Sequence, residues 1–198
     1  MNNRYFILFK PFGFLSQFTS QHKAKKTLSD VEYNFPKDVY PVGRLDEDSE
    51  GLLFLTNDKP LNFRLLSPEF KHSRTYWSQV DGEITDEACH KLCSGVEIAV
   101  EQKKYFTLPA EAKKIAAPIN IAERIPPVRF RKNIPTSWIE LKLMEGKNRQ
   151  VRKMTAAVGF PTLRLIRAAI ENLSIENMNA GEVKELSKEE VYEKLLLK

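Results

Sequence analysis

The sequence predicts an α+β fold. Helix and strand patterns are mixed along the chain. The connections between them are short, as antiparallel neighbours allow. Neither an internal repeat nor a low-complexity linker interrupts them. The expected architecture is a mixed, mostly antiparallel central sheet with flanking helices. With 198 residues, 42% hydrophobic and 29% charged, the chain can bury a real core in one ordinary domain or two small ones.

The elements follow in order. "RYFILFKP" is a short strand stopped by Pro11, and "PFGFLSQFTSQHKAKKTLSD" is a polar, basic loop with aromatics between its charges. "EGLLFLTND" is a buried strand ending in an Asn-Asp turn. In "KPLNFRLLSPE" Pro60 suits the first helical position and Pro68 lies past the end, which marks a short helix. "RTYWSQVDGEI" alternates like a strand. "TDEACHKLCSGV" is a helix with Thr85 as N-cap, Asp86 and Glu87 in its first turn and Gly95 at its end. From Ala116 to Thr136 runs the longest irregular stretch, with four prolines. "SWIELKLME" puts Ile139, Leu141 and Leu143 on one strand face.

"GKNRQVRKMTAAVGFP" then reads as a helix capped by Asn148 and ended by Gly159 and Pro161. Val151, Met154 and Val158 fall at core spacing, while Arg149, Arg152, Lys153 and Ala156 share another face. The last third gives one or two strands and a C-terminal helix, where Ser187 and Glu190 make a capping box.

No stretch approaches the roughly 20 apolar residues of a membrane span, and no signal peptide is evident at "MNNRYFILFKPFG". Cys89 and Cys93, one helical turn apart, suit a reduced cytoplasmic protein and small core residues. With His90 they lack a second pair of zinc ligands. His22 and His72 sit among basic residues, where RNA contact or solvent exposure is expected.

The net charge of +5 is unevenly spread. Residues 129–167 hold ten Lys/Arg and two Asp/Glu, a local +8, so the rest, with 21 basic and 24 acidic groups, carries −3. Such a concentration is what a phosphate-backbone binder presents, and a solvated basic surface is the plain alternative.

"GRLDEDSEGLLFLTND", residues 43–58, crowds four carboxylates against a buried strand. Asp46, Asp48, Glu50 and Gly51 copy the first half of a calcium loop, but its twelfth position is Asn57 and a strand follows. Glu47, Asp48 and Glu50 fit a solvated charge run. Asp46 fits it less well, because in an extended segment Arg44 points the same way and keeps the carboxylate ionised. An oriented, ionised carboxylate is a nucleophile or a base.

These residues carry a resemblance. "GRLDEDSEGLLFLTND", "RTYWSQVDG" and "KNRQVRKM", in that order and flanked by "FKPFG", "IPTSW" and "GFPTLRLIR", resemble the three motifs of the RsuA-type pseudouridine synthases over nearly the whole chain. The chain is most similar to the branch that modifies large-subunit (23S) ribosomal RNA. The resemblance implies a single catalytic domain over residues 1–198 without an N-terminal S4 module, an active-site cleft, and conversion of a uridine to pseudouridine without cofactor or metal. Ribosomal RNA is the implied partner and a cytoplasmic monomer the expected state.

The family's catalytic Asp maps onto Asp46, acting on sugar or base. Arg44 is implied to fill the gap left by the extruded uridine, with an ion pair to Asp46 as the alternative. Tyr76 matches the active-site tyrosine that stacks on uracil, and Arg74 stands where relatives often have Lys. Arg152 matches the basic residue that pairs with the catalytic Asp; Arg149 is the other candidate. Val151 is an apolar floor under the base or plain core. Lys147, Arg149, Lys153, Arg164, Arg167 and the "HKAKK" loop are expected to meet RNA. Two other readings stand beside this one, a small-subunit RNA substrate and a non-catalytic RNA-binding assembly factor.

Overall fold

The structure, a computed structural model, describes residues 2–129, 131–132 and 134–197. Its first half contains β1 (Tyr5–Lys10), β2 (Tyr40–Pro41), β3 (Glu50–Thr56), α1 (Lys59–Leu66), β4 (Arg74–Asp81), α2 (Asp86–Ser94) and β5 (Glu97–Val100). Then come β6 (Lys103–Phe106), β7 (Glu111–Ile115), β8 (Thr136–Leu143), α3 (Gln150–Ala157), β9 (Thr162–Ile170), β10 (Leu173–Ser174), β11 (Val183–Leu186) and α4 (Lys188–Lys194). Helices and mostly antiparallel strands make this the expected α+β class. Among the described residues no helix is long and apolar enough to cross a membrane.

The chain separates into two compact units, one up to His72 together with the stretch from Arg167 onward, the other from Ser73 to Ile166. In the first, β1 pairs antiparallel with β11 on one side and β3 on the other, Ile7 facing Lys184 and Phe54. Both β1 and β3 are buried throughout, which explains their unbroken apolar runs. Phe6, Leu8, Leu53 and Leu55 pack with Leu28, Val31 and Val39. Edge-to-face contacts of Phe6 with Tyr33 and Phe35 seal this core.

Tyr5 stacks on Phe54, and its hydroxyl donates to Asp58 Oδ2 at 2.9 Å. Burial and that carboxylate push the Tyr5 hydroxyl up to about 12. Asp58 Oδ1 accepts from Leu61 N at 3.1 Å and so caps α1. The helix starts at Lys59, one residue before the Pro60 start read from the sequence. Pro60 is tolerated there because the first-turn N–H groups have no partner within the helix.

In the second unit β8 lies between β4 and β7, both antiparallel to it, with Tyr76 opposite Leu141. Ile139, Leu141 and Leu143 are buried on the expected face. They meet Leu92 and Cys89 of α2 and Val151 and Met154 of α3 in one core. Thr85 and Gly95 bound α2 as expected. The short strands β5, β6 and β7 are additions to the sequence reading. Residues 116–135, wherever described, form no helix or strand.

The start of α3 departs from expectation. Arg149, not Asn148, occupies the N-cap, in the left-handed region at φ 52° and without a side-chain cap. The helix ends at Ala157 with Val158 as its C-cap, and Gly159 follows at φ 93°.

Gly51, the second residue of β3, stands at φ 104°, and a Cβ there would lie 2.3 Å from Arg167 O. The nearest atoms are all backbone of Arg167, which cannot yield as a flexible side chain would. Gly51→Ala is expected to destabilise the protein by roughly 3 kcal/mol or more in urea unfolding. A loss below about 1 kcal/mol would show that β3 can shift, contrary to this packing.

Candidate active site

The first unit supplies Arg44, Asp46 and Arg167. Asp46 sits half-buried in the connection from β2 to β3, with Arg44 exposed and Leu45 buried beside it. Two features fix this segment. Ser16 Oγ donates to Leu45 O at 2.8 Å and accepts from Leu45 N at 3.0 Å, so one hydroxyl holds both polar atoms of the residue before Asp46. Asp46 O then accepts from Ser49 N at 3.1 Å, closing a turn. Buried Leu45 and the Ser16 latch orient Asp46 from the backbone upward.

Beneath the segment lies a residue the sequence reading passed over as a motif flank. Lys10 has 0% of its surface exposed. Its ammonium donates to Pro11 O at 3.0 Å and Phe14 O at 2.7 Å. Burial pulls its pKa down to about 8, while Glu50, Asp48, Glu47 and Asp46 draw it back toward the charged form. A lysine closing an apolar strand just before Pro11 is the signal that could have marked it.

The carboxylates around Asp46 are not uniformly solvated. Glu50 is buried at the start of β3, and Glu47 pairs with Lys25 at 2.6 Å. Lys25, in the basic loop expected to hold RNA, is therefore engaged within the protein. Lys26 lies 5.3 Å over the Phe14 ring. Among the described residues no group of three or more His, Cys, Asp or Glu is arranged to hold a metal ion.

The second unit supplies Tyr76, Lys147, Arg149, Val151, Arg152, Lys153 and Arg164. Tyr76 is half-buried on β4 and packs against that unit's core, on the same strand face as fully buried Ser78 and Val80. A row of hydroxyls ties this strand to α3, for Ser78 Oγ, Thr162 Oγ1 and Thr155 Oγ1 lie at successive distances of 2.8 Å. Arg152, half-buried on the same helix, donates to Thr162 O at 3.4 Å. Thr162 thus joins the strand of Tyr76 to the helix of Arg152. Lys147 and Arg149 are exposed ahead of that helix, and Lys153 is half-buried.

Three expectations are corrected. Arg164 and Arg167 are 6% and 5% exposed, so neither offers its charge to an RNA backbone on a surface. Strand β9 is buried along most of its length, and Arg167 Nε is spent on Leu52 O at 2.8 Å. Val151 takes the core position that was one of its two readings, packed with Met154. Arg149 does not share a helix face with Arg152, because it lies before the helix begins. His72 is buried, with Nδ1 3.4 Å from Glu171, rather than exposed.

Lys10 gives stability a distinctive pH dependence. Its folded pKa lies below the ordinary 10.5, so the unfolded chain binds the proton more tightly. Below about 8 the buried charge costs stability, and the cost fades as pH rises from about 8 toward 10.5. The gap corresponds to roughly 3 kcal/mol at 1.36 kcal/mol per pH unit. Urea unfolding of wild type and Lys10→Met from pH 7 to 10.5 is expected to show wild type gaining on the variant over that window. A pH-independent difference would contradict the buried ammonium.

Comparison with known proteins accords with this arrangement. A family model described as RNA pseudouridylate synthase matches residues 4–157. The chain is 49% identical over 187 residues to "Ribosomal large subunit pseudouridine synthase E" of Vibrio parahaemolyticus, covering 94% of this chain and 75% of that protein. It is 45% identical over 177 residues to the protein of the same name from Xanthomonas campestris pv. campestris, covering 89% and 91%. A solved structure titled "Crystal structure of pseudouridylate synthase" superimposes with a TM-score of 0.75 at 25% identity, over 98% of this chain and 74% of that one. The fold, the three motifs and these relatives agree, and the chain belongs to the RNA pseudouridylate synthase family.

Proposed function

We propose that this protein converts one uridine of large-subunit ribosomal RNA, the 23S species, to pseudouridine. It does so as a cytoplasmic monomer without a cofactor, with Asp46, Tyr76 and Arg152 as its catalytic residues. Relatives named as large-subunit pseudouridine synthases, at 45% to 49% identity, support the substrate class. The observation that carries the chemistry is the Asp46 segment, a carboxylate on a latched backbone above a buried ammonium.

The reaction is balanced within the substrate. The N1–C1′ bond breaks, C5 takes its place on C1′, C5 gives up its proton and N1 gains one. No electrons are exchanged. The carboxylate of Asp46 assists cleavage at the sugar or the base. Tyr76 offers a ring face and a hydroxyl to the uracil. Because C1′ and C5 cannot be worked on inside a stacked helix, the nucleotide is extruded, and exposed Arg44 takes the space left in the stack. Lys147, Arg149 and Lys153 meet phosphates.

Tritium at C5 of uridine reports the reaction directly, since isomerisation releases it. Large-subunit RNA transcripts are expected to release tritium with wild type. Asp46→Asn is expected to reduce the rate by about a thousandfold or more while RNA binding is retained. RNA affinity should fall with salt at a log–log slope steeper than about −2. Binding without release, on transcripts and on ribosomal particles alike, would instead favour a non-catalytic RNA-binding factor. Release from small-subunit RNA alone would overturn the subunit assignment.

A further inference from the structure

The turn that enters α3 is held by residues that none of the assigned roles uses. Asn148 does not cap the helix, and Arg149 at the N-cap makes no side-chain cap bond. Gln150, the first helical residue and only 4% exposed, works on the turn from within. Its Oε1 accepts from Lys147 N at 2.9 Å, and its Nε2 donates to Glu145 Oε1 at 2.6 Å. One amide therefore grips both ends of residues 146–149.

Glu145 is the fixed point of this arrangement. Besides Gln150 it accepts from Leu108 N at 2.9 Å through Oε1, and from the Tyr105 hydroxyl at 2.5 Å through Oε2. Tyr105 belongs to β6, and Lys147 Nζ lies 4.9 Å over its ring. Two cations expected to meet RNA, Lys147 and Arg149, thus stand on a turn anchored to β6 and to Leu108 beyond it rather than to α3 alone.

We propose that Glu145, Gln150 and Tyr105 form a clamp that presets the 146–149 turn for RNA, making them positioning residues for Lys147 and Arg149. A turn ordered in advance loses less conformational freedom when it meets a phosphate backbone. Gln150 suits the task because its amide donates to a carboxylate and accepts from a backbone N–H at once, which neither Glu nor Ala can do. The proposal rests on the reading that this turn contacts RNA.

The test compares wild type with Gln150→Glu, Tyr105→Phe, Arg149→Ala and the Gln150→Glu/Arg149→Ala pair. It measures tritium-release kinetics and RNA affinity across salt concentrations, using large-subunit RNA transcripts. Gln150→Glu sets a second carboxylate against Glu145. It is expected to raise KM about tenfold, with the loss in KM rather than kcat, and to make the log affinity–log salt slope shallower by about one. Tyr105→Phe removes one bond from Glu145 and should weaken affinity about threefold in the same sense. The pair should be barely worse than Arg149→Ala alone, because both changes remove the same contact.

A merely structural role would lower the melting temperature and the amount of active protein but leave the salt slope of the folded fraction unchanged. Folded Gln150→Glu with unaltered affinity and slope would overturn the clamp. Where that variant does not fold, unaltered affinity in Tyr105→Phe would overturn it instead. Arg149→Ala with unchanged affinity would contradict the RNA contact of the turn, whereas a weakened Arg149→Ala beside an unaffected Gln150→Glu would contradict the clamp alone.

Discussion

The burial of Lys10 is the constraint around which the Asp46 segment is built. An ammonium with no exposed surface must be met by acceptors or lose its proton. Here the carbonyls of Pro11 and Phe14 meet it, and four acids nearby favour its charge. This ties together pieces far apart in sequence, the turn after β1 and the acidic stretch before β3. Gly13 N donating to Glu47 O at 2.8 Å, and Lys25 pairing with Glu47, reinforce the same junction. The arrangement is costly, yet it fixes where a carboxylate stands, and position is worth more to a catalyst than stability.

The second unit solves a related problem with neutral groups. Tyr76 stands on a strand and Arg152 on a helix, and the linked hydroxyls of Ser78, Thr162 and Thr155 keep the two in register. Small hydroxyls suit a packed core because each can donate and accept without carrying charge. At the other end of α3 the half-buried carboxylate of Glu145 is satisfied by three donors. Both units thus support the candidate site residues through polar groups outside the proposed catalytic set.

Much of this fold was legible locally. The apolar runs of β1 and β3, the alternation of β8 and the caps of α2 follow from short-range pattern. What escaped was long-range. Strands β5 to β7 are short and rich in charge, as in "EAKKI", and take their form from the strands they pair with. Asn148 has good capping propensity, but the buried amide of Gln150 sets the turn instead. Arg164 and Arg167 looked like surface charge because a basic composition does not reveal that their strand is buried. Asp46, Tyr76 and Arg152 stood out through their motifs, whereas Lys10 and Glu145 matter through contacts that the linear sequence does not display.

On this reading the chain makes one pseudouridine in large-subunit ribosomal RNA through Asp46. The most direct measurement maps pseudouridines by carbodiimide modification and primer extension, on ribosomal RNA from cells lacking the gene and from cells complemented with wild type or Asp46→Asn. The account requires that one stop in large-subunit RNA be lost on deletion, restored by wild type and absent with Asp46→Asn. An unchanged large-subunit map in the deletion strain, or restoration by Asp46→Asn, would contradict it.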